Sequence, residues 1–320
     1  MPNSFFKEVQ MNNTNPKNQH YVPRVYLKNF SIKIKKEYSL YVYKKDDNNI
    51  FKTNIKNIAA EKDFYTVNNK KDNEGKEIDP YKYENIYSSI ESELNKTLQE
   101  INQKNNFLCN EKTLKLTDDN IDKISKFIIV QMLRGKLCRA YEKEYYNYEF
   151  EKFKNQFFSE FDSKFIKNFL NNFLNDENNF KLITGIINTD PSRINRIANI
   201  LKAGCWVIYC IKGDKEFITS DNPVVFYDLS NKNDGLFADG ILGESTMILF
   251  PLNNKMLLTV YCVNTLVNRV IRENYHKGIK YVYDDKDSNF IDLMNKIQIN
   301  KCVNQVYSKN RKTLDELMNQ

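Results

Sequence analysis

The pattern of apolar and polar positions divides this chain into strand-like stretches near both ends and helical spacing between them. Residues 38–43 alternate, 46–49 are turn formers and 50–55 resume the alternation, which predicts a β-hairpin. Ahead of it, Pro23 suits the first turn of a helix through Val25, Tyr26, Leu27 and Phe30, where its missing N–H is not needed. Behind it, 59–62 reads as a helical turn, 64–67 as a strand and 68–79, around Gly75, as a polar loop.

Helical spacing takes over at Tyr83, with Ile86, Ile90, Leu94, Leu98 and Ile101 three or four residues apart. Thr117 caps a long helix predicted to reach about Phe158, buried all round over 127–133 and partly in solvent over 141–157. Two or three more helices occupy 163–201, broken at 175–176 and at Asp190-Pro191. The last third reads as strands at 205–211, 216–219, 224–227, 247–250 and 256–261, with a hairpin turn at 212–215. Helices follow at 265–275, at 289–307 and over the last few residues.

Strands at both ends with helices between them predict an α+β fold. The central helical region packs on one mostly antiparallel sheet, formed by the C-terminal strands plus the N-terminal hairpin. Residues 1–19 are expected as a flexible arm and 20–320 as a single domain: hairpin and helix over 20–105, helices over 106–203, sheet with C-terminal helices over 204–320.

Composition narrows the chemistry. Nine glycines, with neither GxGxxG nor GxxxxGK[ST], exclude a Walker-type NTPase or a standard dinucleotide-binding enzyme. Two histidines exclude a His-rich metal centre, and six cysteines without a CxxC read as reduced core thiols. The net charge of +7 suggests a nucleic-acid or nucleotide partner, although a Lys-, Asn- and Ile-rich composition produces such an excess without selection for binding. No apolar run reaches 18 residues and no leader pattern opens the chain, so the expectation is a cytoplasmic protein without a membrane partner.

A few polar residues stand where a plain core would not put them. His20 lies just before a helix start, where an imidazole can serve as acid or base, grip a phosphate, or simply cap the helix. Gln131 and Arg134 share one face of an apolar helix. A buried guanidinium needs a carboxylate, a phosphate or carbonyls, so Arg134 reads equally as an anion clamp and as half of an internal ion pair. Ser220, Asp221 and Asn222 close a strand before Pro223, as turn formers or as the presentation of an acid or metal ligand. Glu91 could face inward toward Arg134 but reads more readily as an acid on a solvated face. His276 reads as a helix C-terminal residue favoured by the dipole.

Gln19-His20-Tyr21-Val22-Pro23, Tyr26-Leu27 with Asn29-Phe30, Gln131 to Arg134, Thr219 to Pro223, Phe250-Pro251-Leu252 and Val306-Tyr307-Ser308 together resemble the bacterial domain-of-unknown-function family 4238 (DUF4238), over roughly residues 19–308. The resemblance implies that His20, Gln131, Arg134, Ser220, Asp221 and Asn222 belong to one shared pattern. It implies no reaction. The leading expectation is a phosphodiester- or nucleotide-directed hydrolase, nuclease-like and of a defence or toxin type. His20 and Asp221 would be catalytic, Gln131, Arg134, Ser220 and Asn222 would bind substrate, and a divalent cation is an open cofactor. The alternatives are a non-catalytic module that binds or senses an anionic ligand or nucleic acid, and a purely structural pairing of Arg134 with Asp221 beneath a surface for a protein partner or a second copy.

Overall fold

The structure is a computed structural model that describes residues 17–72, 74–107, 116–158, 168, 172–173, 175–232, 235, 237–271, 279–283 and 288–319. Most of the expected arm, and His276, lie outside the described residues.

The chain opens with β1 (Asn18–His20), α1 (Arg24–Leu27) and a 3-10 turn at Lys28–Phe30. Next come β2 (Ile32–Ile34), β3 (Glu37–Lys44), β4 (Asn49–Asn54) and β5 (Ala60–Lys62). The helical middle comprises α2 (Lys82–Phe107), α3 (Asp118–Arg134), α4 (Lys136–Phe158), α5 (Glu177–Asn188) and α6 (Pro191–Lys202). The last third holds β6 (Cys205–Ile211), β7 (Thr219–Ser220), β8 (Val225–Asp228), β9 (Thr246–Asn253), β10 (Met256–Tyr261), α7 (Leu266–Ile271), β11 (Ile279–Tyr283), α8 (Ser288–Asn300), β12 (Gln305–Ser308) and α9 (Arg311–Met318).

The fold is α+β, with strands in two principal sheets. Both have five strands, and the first runs β11-β6-β10-β9-β8, antiparallel except where β11 lies parallel to β6. Its strands β6, β9 and β10 are buried on both faces, which is why they read as continuous apolar runs. One face (Trp206, Ile208, Phe250, Leu258) packs into the main core with Ile124, Phe127 and Ile128 of α3. The other (Val207, Leu249, Leu257) packs on Ile291, Met294 and Ile297 of α8. In the second sheet β3 pairs with β2, β4 and β12, and β12 passes on to β7, with Leu314 and Leu317 of α9 behind Val306. The N-terminal hairpin therefore does join C-terminal strands, but in a sheet of its own. Tyr26 ties the two together. Its ring stacks on Phe250 at 5.2 Å, and its hydroxyl is 2.8 Å from both the Pro251 carbonyl and Thr219 Oγ1.

Several expected elements change. The long helix from Thr117 is two helices, because residue 135 adopts an extended conformation and ends α3. The turn expected at 59–62 is strand β5, paired with β1, and 64–67 is irregular. Of the strand expected at 216–219, only Thr219 is in a strand, the two-residue β7. The helix expected over 289–307 stops at Asn300, and 305–308 is β12.

Candidate functional site

The N-terminal motif is fastened to the protein largely through its backbone. Strand β1 places residues 18–20 against 62–60 of β5. Gln19 is buried, donates from Nε2 to Thr66 Oγ1 at 2.8 Å, and accepts the Tyr65 amide on Oε1 at 2.5 Å. Gln131 donates to the Tyr21 carbonyl at 2.8 Å, while Arg134 Nη2 donates to the carbonyl of His20. The other two guanidinium nitrogens also have partners. Nη1 meets Glu91 Oε1 at 2.7 Å, and Nε meets the Tyr65 hydroxyl at 3.2 Å. The plane lies over the Tyr87 ring, 4.6 Å from its centroid. With its side chain 1% exposed, Arg134 is an internal cation balanced by Glu91, with a partner at each guanidinium nitrogen.

Asp221 is equally committed. One carboxylate oxygen accepts the Val303 amide at 2.8 Å, and the other accepts those of Asn304 and Gln305 at 2.8 and 2.9 Å. Burial pushes its pKa up, opposed by those three amides and by Lys136. Its neighbours complete a clasp on the end of α8: Gln298 donates to Ser220 Oγ at 2.6 Å and to the Asn222 carbonyl at 2.7 Å, and Asn222 Nδ2 donates to the Lys301 carbonyl at 2.9 Å. The three separated stretches share Tyr21 as a neighbour. Its carbonyl holds Gln131, its ring lies 4.7 Å from Lys136 Nζ, and its hydroxyl is held protonated by burial and by the Asp221 charge.

Hydrogen bonding leaves several buried polar atoms over, among them atoms of Ser125, Glu216, Thr246, Thr259 and Asn268, and three that belong to the neighbourhood of Arg134. Nε2 of His20 and Oε2 of Glu84 are buried without a partner, as is Oε1 of Gln131. Burial lowers the His20 pKa to about 4, helped by the charges of Arg24 and Arg134 and opposed by hydrogen bonding to the backbone at Ile55 and Lys56. Burial raises the Glu84 pKa to about 7, with Glu91 adding to it and Arg134 and Arg24 resisting. At neutral pH the cluster therefore offers a neutral imidazole and a carboxyl that is about half protonated, both under the influence of Arg24 and Arg134. Arg24 itself is exposed. The hollow on which Arg134 borders, with Tyr65, Tyr87, Arg139 and Lys181, measures about 20 Å³, room for about one water.

Sequence reasoning named His20 and Arg134 but missed Glu84 and Arg24. The available signal was the seven-residue step from Glu84 to Glu91, which puts two carboxylates on one face of α2. It also gave too little weight to Glu91 facing inward. Among the described residues no three His, Cys, Asp or Glu side chains gather as a metal site, and both Asp221 oxygens are occupied by amides.

A family model described as "Protein of unknown function (DUF4238)" matches residues 18–312, which span every residue of both polar clusters. No curated protein and no solved structure matches the chain.

Proposed function

We propose that this chain, a member of the DUF4238 family, is a phosphodiester- or nucleotide-directed hydrolase whose acid–base chemistry runs at His20 and Glu84. One observation carries the reading: two titratable side chains with buried, unpartnered polar atoms share the same two guanidinium neighbours. Unpartnered polar atoms in a protein interior cost stability, so they are a reasonable place to look for a ligand. In this scheme neutral His20 accepts the proton of an attacking water through Nε2, and Glu84 in its protonated form supplies the proton to the leaving oxygen. Arg24, at the exposed edge, draws in the anionic substrate. Arg134, bonded at all three guanidinium nitrogens, holds the His20 carbonyl in position, and Asp221 shapes the chain around Tyr21 rather than orienting the imidazole. The buried thiols of Cys138, Cys205, Cys262 and Cys302 support a cytoplasmic setting.

The test is turnover of labelled RNA, DNA and nucleotides by the purified protein, with and without Mg²⁺ or Mn²⁺. His20→Ala and Glu84→Gln should each lower kcat by roughly 10²–10⁴-fold, the usual weight of a general acid or base. A wild-type protein that turns over none of them retires the reading. A second reading, an anion-binding module without chemistry, is favoured by the sealing of Arg134 and Asp221, which leaves few groups to act. It predicts saturable nucleotide binding that is lost in Arg24→Ala and kept in His20→Ala.

A further inference from the structure

A hollow of about 400 Å³, with mostly apolar walls, opens between α3, α4, α5, α6 and the loop around Phe237. Leu133, Tyr141, Tyr145, Ile197, Phe226 and Phe237 supply much of its wall. Tyr141 and Phe226 meet Phe237 edge-on, at 5.7 and 5.6 Å, and so set up a bracket of rings. Tyr141 and Tyr145 are 49% and 52% exposed, so these large rings face water at the mouth when nothing covers them. Pockets of this size lined by aromatic groups with a few polar ones are the usual form of a small-molecule site.

The polar groups select the ligand. Glu142 accepts one long hydrogen bond, 3.3 Å from Asn188 Nδ2, and burial raises the pKa of its carboxyl ahead of the opposing effects of Asn188, Arg193 and Arg139. Arg193 donates from Nη1 to the Ile187 carbonyl and Asn188 Oδ1, at 3.4 and 3.3 Å, which fixes its guanidinium in the wall. A cationic ligand would face the Arg193 guanidinium, and an anionic one would face Glu142. A neutral N–H donor on a flat ring meets neither penalty, because it can donate to the carboxylate while its face lies among the tyrosines. We infer that this pocket binds an amino-bearing nucleobase, its ring held by Tyr141, Tyr145 and Phe237 and its exocyclic N–H donated to Glu142. The inference stands apart from the hydrolase reading, since neither His20 nor Glu84 lines this hollow.

Calorimetric titration of the full chain with adenosine, cytidine and dimethyladenosine, which keeps the ring but loses both amino hydrogens, tests it. Adenosine and cytidine should saturate, and adenosine should bind about tenfold tighter than dimethyladenosine, the worth of one hydrogen bond to a charged group. Glu142→Met should erase that preference. Phe237→Ala, at a half-buried position and checked for a retained thermal unfolding transition, should weaken both adenosine and cytidine at least about fivefold through loss of ring contact. His20→Ala should bind adenosine as the wild type does. No saturation by either nucleoside at millimolar concentration, equal affinity for dimethyladenosine, unchanged affinity in Phe237→Ala, or loss of binding in His20→Ala would each overturn the assignment.

Discussion

The Asp221 clasp and the His20 cluster are both polar, both largely buried and both neighbours of Tyr21, yet they are built on opposite principles. Around Asp221 each carboxylate oxygen meets a backbone amide, and Ser220 and Asn222 close the surrounding ring of bonds. Around His20 the backbone is secured while side-chain atoms of His20, Glu84 and Gln131 are left without partners. A saturated polar network stabilises and specifies a conformation, whereas an unsaturated one costs stability and is kept where something else uses it. Chemical type alone did not separate the two, since an acid at a strand end and a histidine at a helix start look equally promising. Partner counting separates them.

The largest effect should come from opening the clasp. Asp221→Ala removes the acceptor for three buried amides and should cost roughly 4 kcal/mol or more in urea unfolding. A loss below about 1 kcal/mol would show that water replaces the carboxylate, and the contrast between the two regions would fail. Next is Arg134→Met, which strands Glu91 and the His20 carbonyl and should cost roughly 3–5 kcal/mol. Adding Glu91→Leu should restore a good part of that loss, because the uncompensated charge goes with it. A double variant no better than the single one would mean that the His20 and Tyr65 contacts, rather than the ion pair, carry the energy.

The His20 cluster should reveal itself through pH. His20 titrates near 4 in the fold against 6.5 when unfolded, so its contribution is lost as pH falls from 6.5 through 4. Glu84 titrates near 7 in the fold against 4.5, so its contribution is lost as pH rises from 4.5 through 7. Between pH 4.5 and 6.5 the two oppose each other, and the wild type should be nearly flat. Glu84→Gln should expose a stability that rises with pH, and His20→Gln one that falls with pH, each by roughly 3 kcal/mol across its window. Parallel profiles for the two variants would contradict the assignment. The smallest effect sharpens the fold rather than the site: Tyr26→Phe should cost about 1–2 kcal/mol in thermal unfolding, from one hydroxyl bonded to Thr219 and Pro251.

The fold class was legible because its evidence is local. Alternation at 38–43 and 50–55 became β3 and β4, the run of Cys205–Ile211 became β6, and Thr117 caps α3 with a reciprocal bond to Asn120. The failures are all tertiary. Apolar spacing runs on past Asn300, but Asp221, about eighty residues upstream, captures the amides of 303–305 and turns the chain into β12. Helical spacing also runs through residue 135. The break there lets Arg139 reach the Phe64 carbonyl at 2.6 Å, a contact no local pattern encodes. The site was half legible for the same reason. His20, Gln131, Arg134 and Asp221 stand out by residue type, whereas Glu84 becomes distinctive only when its neighbours are known to leave it without a partner.

The pairing of β3 with β12 has a consequence for how the molecule is made. Asn304 and Asp46, bonded to each other beside that seam, are 258 positions apart. During synthesis the N-terminal hairpin leaves the ribosome with one edge of β3 open and waits for nearly the whole remaining chain before β12 can cover it. At 5–20 residues per second that delay is on the order of ten to fifty seconds. Until then the exposed backbone of β3 is a template for any passing strand, and truncation before residue 305 should yield aggregation rather than a smaller soluble fragment.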